Sequence, residues 1–72
     1  MFRVGDKVTI YRRWRSEGFN WNPIMDQFIG SSSKVKRING FTRDGIANYD
    51  LEGIASWVFN ENSLIPPEWD GE

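Results

Sequence analysis

The chain predicts an all-β fold, a small barrel of about five strands with one short helical turn, and three observations lead there. From Gly45 to Phe59, Ala47, Tyr49 and Leu51 alternate with Ile46, Asn48 and Asp50, and after Glu52-Gly53 the alternation resumes at Ala55, Trp57 and Phe59. That period of two marks strands with one buried face. The Glu-Gly step supplies a residue tolerant of positive φ where a tight reversal needs one, and Asp44-Gly45 offers the same chemistry just before the hairpin. Lastly, 72 residues without a cysteine hold four Trp, two Tyr and five Phe. So short a chain buries only roughly 60 to 65% of its unfolded surface. Its core must therefore come from rings worth about 2 to 3 kcal/mol each when fully buried.

Taken in order, Val8 and Ile10 alternate with Lys7, Thr9 and Tyr11 after the Gly5-Asp6 turn signal, which gives a first strand ending near Arg12. Arg13 to Asn22 has no period and carries Gly18 with two asparagines, so it reads as a long loop, and such loops in small domains are usually functional. Within the gap, Asn22 is placed as an N-cap, Pro23 at the first helical position and Gly30 just past the end of one or two helical turns. Ile24 with Phe28, and Met25 with Ile29, stand at i,i+4 and form an apolar face there. Ser31-Ser32-Ser33 reads as a loop tip. Lys34 to Phe41 reads as a second strand in which Asn39-Gly40 marks either a bulge or a turn. After the hairpin, Asn60 to Ser63 is turn-like and Ser63-Leu64-Ile65 makes a closing strand, ended by Pro66-Pro67. One domain over residues 1–67 and an acidic tail over 68–72 follow.

Composition excludes several functions. With no cysteine and no histidine, disulfides are ruled out and a zinc site would rest on carboxylates alone. Asp6 and Asp26 could in principle form an acid/base pair. Gly5-Asp6-Lys7 reads as a turn and Asp26 as an early-helix acid favoured by the dipole, so no enzyme is expected. Neither a glycine-rich phosphate loop nor a calcium loop occurs, and no cofactor or metal is expected. No apolar run reaches the eighteen or so residues of a membrane span, and the start lacks a signal peptide's apolar stretch, which makes a cytoplasmic location the expectation. Charge is split along the chain: residues 1–43 hold nine bases and three acids, and residues 44–72 hold seven acids and no base. Either the halves neutralise each other across strands or they leave a one-signed face.

Phe2-x-Val4-Gly5-Asp6-x-Val8, Trp21 with Met25-Asp26-x-x-Ile29-Gly30, Val35, Tyr49-Asp50-Leu51, Ser56-Trp57-x-Phe59 and Leu64-Ile65-Pro66 together resemble SH3-like barrels of the Mind bomb/HERC2 type. The layout is also similar to short bacterial and phage proteins. The resemblance implies a non-enzymatic interaction module, with a phage-encoded accessory protein or inhibitor of a host protein as one setting. In SH3-type readers, aromatics of the long loop and central hairpin line a groove for extended segments. By position these would be Trp14, Trp21 and Trp57, with Pro66 as a floor. Trp57 is assigned to the core because it alternates with Ala55 and Phe59. The expected partner-binding residues are Trp14, Arg12, Arg13, Arg15, Phe19 and Trp21, the rings exposed and the arginines supplying charge.

Nucleic acid is the alternative partner. Arg12, Arg13, Arg15, Lys34, Lys36 and Arg37 would contact phosphates and Tyr11 or Trp14 would stack on bases. Against this stands a pI near 5.3, where a dedicated binder is expected above about 9. An aromatic cage for a methylated lysine and self-association of the basic loop with the acidic half complete the readings.

Overall fold

The computed structural model describes residues 1–15 and 20–66. Five strands, β1 (Lys7–Ile10), β2 (Ser32–Phe41), β3 (Ala47–Leu51), β4 (Ile54–Asn60) and β5 (Leu64–Ile65), form one sheet in the order β4-β3-β2-β1-β5. All four pairings are antiparallel. Two 3-10 turns interrupt the strands, Pro23–Phe28 and Glu61–Ser63. This is the all-β architecture with one short helical turn after β1 that the sequence predicts, with a second, three-residue turn where Asn60 to Ser63 reads as turn-like. Among the described residues no helix is long and apolar enough to cross a membrane.

The sheet curls because β2 changes partner along its length. Ser32, Ser33 and Lys34 pair with β1, whereas Val35 to Phe41 pair with β3. Val35 sits at the changeover, fully buried, exchanging backbone hydrogen bonds with the turn before β1: its N–H donates to the Asp6 carbonyl and its carbonyl accepts from Gly5, each at 2.8 Å. Register shifts between Val35 and Arg37 and between Ile38 and Gly40 add bulges that bend the strand further. Asn39-Gly40 is therefore a bulge, and the turn falls at Asp44-Gly45, where Gly45 has φ +83°.

One expectation about β2 is corrected. Ser32 and Ser33 are strand residues instead of a loop tip. Their hydroxyls replace the missing β-propensity: Ser32 Oγ and Thr9 Oγ1 share a hydrogen bond of 2.7 Å across the strands, and Ser33 Oγ donates to the Glu52 carbonyl at 2.5 Å.

The core lies inside the curl. Tyr49, Phe59, Ile10, Leu51 and Val8 have at most 1% of their surface exposed. Phe59 is met edge-on by Trp21 at 6.0 Å and Phe28 at 6.1 Å between ring centroids, the arrangement that aligns ring edges with faces. Tyr49 meets Phe2 in the same way. Its hydroxyl accepts from the Phe2 N–H at 2.9 Å and donates to Glu61 Oε1 at 3.1 Å. Burial pushes the Tyr49 phenol up to about 12.

Candidate functional site

The described residues between β1 and β2 are held largely by side chains, because no ladder runs through them. Asn22 caps the Pro23–Phe28 turn: its Oδ1 accepts from the Ile24 N–H at 2.9 Å, while its own N–H points at Met25 Sδ. The turn is 3-10 in geometry, so residues three apart share a side. Met25 and Phe28 accordingly face the core, Met25 only 2% exposed, and Ile24 is left 56% exposed. The predicted i,i+4 pairing of Ile24 with Phe28 and of Met25 with Ile29 is thus replaced by an i,i+3 face.

Asp26 ties this turn to the strand exit. Its carboxylate accepts from Trp21 Nε1 at 2.7 Å and from both Nε and one terminal nitrogen of Arg13, at 2.8 and 2.7 Å. The Trp21 N–H and the forked Arg13 guanidinium hold the Asp26 carboxyl below the usual range despite some desolvation. Trp21, with its polar atom satisfied, is 4% exposed. An exposed platform at Trp21 is therefore corrected: the ring belongs to the core and presents only its rim.

The other members of the expected site separate. Arg12 donates to the Asn62 carbonyl at 2.8 Å, and its guanidinium carbon lies 5.1 Å from the ring centroids of both Tyr11 and Trp14. That contact is a cation–π pair within the loop itself. Trp14 is half-buried against the core instead of standing free. Arg15 is exposed, and Phe19 lies outside the described residues. Of the bases proposed for phosphates, Arg37 is paired with Asp50 across β2 and β3, so neutralisation between the two halves of the chain does occur there. Lys34 and Lys36 are exposed. Among the described residues no three metal-ligating side chains come together.

What the fold does assemble is a groove of about 450 Å³ between the segment Asn20–Met25 and the β4 residues Ser56, Trp57 and Val58. A disruption of β4 makes it. Val58 stands opposite Asp50 and Ile54 opposite Leu51, so Ala55, Ser56 and Trp57 have no counterpart in β3. In the hairpin turn Gly53 has φ +81° and no non-glycine residue has positive φ. A type I′ turn, which needs two positive φ values and best follows strand twist, is thereby excluded. The bulge leaves Ala55 and Ser56 exposed and Trp57 half-buried along the groove. Trp57 is thus both a core neighbour and a wall, the two places its position in the sequence suggests, of which the alternation favours the core. Pro66 does not line this groove.

A smaller recess of about 120 Å³, lined by Arg13, Arg15, Trp21, Pro23 and Asp26, adjoins it through Trp21 and Pro23. Ser56 and Pro23 carry no motif that marks them as site residues. The one usable signal is the hairpin's spacing, in which Glu52-Gly53 leaves a β4 longer than its partner. Comparison with protein-family models, curated proteins and solved structures finds no match to this chain.

Proposed function

We propose that this chain is a non-enzymatic protein-interaction module that accepts an extended segment of a partner protein in the groove between Asn20–Met25 and β4. The observation that carries the reading is the wall structure: two tryptophans and a proline flank a cleft at the free edge of β4, beside bulged residues with no ladder partner. Rigid rings offer contact area at little entropic cost, and an unpaired strand edge offers backbone hydrogen bonds to an extended chain. A cytoplasmic setting, and a role as a phage-encoded accessory protein or inhibitor of a host protein, belong to the same reading.

The test is a random peptide library panned on the immobilised chain and on its Ser56→Arg variant. Ser56 is exposed, so the arginine fills the cleft without removing a core group. Retention by the parent and loss in the variant, with unchanged melting, is the expected result. Equal retention by both chains removes the groove from the reading.

One observation favours nucleic acid as a second partner class. Lys7 lies directly opposite Lys34 in the β1–β2 pair, and facing like charges are unfavourable until an anion joins them. Arg12, Arg13 and Arg37 are already held by protein acceptors, which thins the phosphate-binding set. Titration with labelled single- and double-stranded oligonucleotides at two salt concentrations decides: steeply salt-dependent binding establishes this class over the peptide reading.

A further inference from the structure

The charge pattern at one end of the groove specifies more than a generic extended peptide. Along the groove proper the polar lining is neutral, supplied by Asn20, Asn22 and Ser56. At the end where Trp21 and Pro23 pass into the smaller recess, three charged groups meet, Arg13, Arg15 and Asp26. Two of them cancel: the fork of Arg13 is spent on both oxygens of Asp26, whose remaining donor is the Trp21 indole. Arg15 is left over, exposed, with no ion-pair partner among the described residues. Among the described residues the recess therefore carries one uncompensated positive charge beside two apolar walls.

We infer that the partner segment is acidic: it seats an apolar side chain between Trp21 and Trp57 and sets an Asp or Glu carboxylate against Arg15. This rests on the groove reading and adds the chemistry of its occupant. A guanidinium recognises a carboxylate with two parallel hydrogen bonds, so orientation as well as charge is selected. Because Asp26 is already taken up by Arg13, a basic segment finds no free carboxylate among the described residues at this end. An acidic one meets Arg15 without displacing an existing pair.

The experiment uses the panned library of internal, end-capped peptides. Retained sequences are expected to be enriched in Asp or Glu within about three residues of an apolar anchor, the reach of a short extended stretch. Replacing that acid by Gln or Asn in a retained peptide is expected to weaken binding about fivefold, as one partly exposed ion pair allows. Arg15→Glu, a change at an exposed position, should turn the enrichment toward Lys and Arg while the apolar anchor is kept. Retained peptides without acid enrichment, or indifference to Arg15→Glu, overturn the inference and leave the groove standing. Failure to retain any peptide overturns both, and capture of the chain's own 66–72 segment in a second copy, seen as concentration-dependent dimerisation, replaces the partner by self-association.

Discussion

The hairpin of β3 and β4 and the loop from Tyr11 to Gly30 both contribute rings to one core, yet they hold them by different physics. In the hairpin, Tyr49 and Phe59 face inward because they stand opposite each other in a ladder whose side chains alternate. In the loop, Trp21 is positioned by a carboxylate five residues away and an arginine thirteen residues from that carboxylate. Apolar burial therefore fixes the first region and charge-assisted hydrogen bonds fix the second. Agents that separate those two forces should separate the two regions.

The largest effect is expected from Phe59→Ala, which removes the ring that Trp21 and Phe28 both contact and should cost about 3 to 5 kcal/mol in urea unfolding. A loss below about 2 kcal/mol would mean that the loop, and not the hairpin, carries the core. Next comes alkali. An acid whose folded pKa is raised keeps its proton in the native state while the unfolded chain releases it, so stability falls as pH rises above the unfolded value near 10. For Tyr49 that decline continues until about 12. Tyr49→Phe should remove this limb from the pH–stability profile, at the expense of leaving the Phe2 N–H without its acceptor.

Acid acts on the other region. The folded pKa of Asp26 is depressed, so its contribution is present above the unfolded value, about 3.9, and disappears as pH falls through the lower folded value. Tryptophan emission should therefore change as pH falls through the depressed Asp26 value, before the sheet's circular dichroism does. Asp26→Asn should abolish that early step. Simultaneous loss of both signals would show that loop and hairpin unfold as one unit. A smaller effect belongs to the turn: Gly53→Ala places a Cβ at φ +81° and should cost about 1 kcal/mol. Gly40→Ala, with no positive φ and open space around the added carbon, should change stability by less than about 0.5 kcal/mol.

The same division explains what could be read from the residues alone. Strand positions, the Asn22 cap and the Gly53 reversal are written locally, as a period of two or a side-chain acceptor two residues from its N–H donor. Trp21 reads as a free ring in the sequence because its partners, Asp26 and Arg13, are joined only once the loop has folded. Counting along β4 places Ala55 inward, and the count fails because three residues there have no opposite number. The groove is the product of those two non-local events. Among the described residues expected to bind, Arg13 and Arg15 both keep their exposure and a place beside the cleft, and of the two Arg15 has no ion-pair partner.

β5 contributes two residues, and both pair with β1, the strand most distant from it in the chain. Closing that circuit costs the most chain entropy of any pairing in the molecule and returns the shortest ladder. The meander of β2, β3 and β4 can form from neighbours, while this last clasp waits for everything between. Folding should thus proceed outward from the centre and finish at the seam, and amide exchange in native conditions should start where Tyr11 donates to the Ser63 carbonyl.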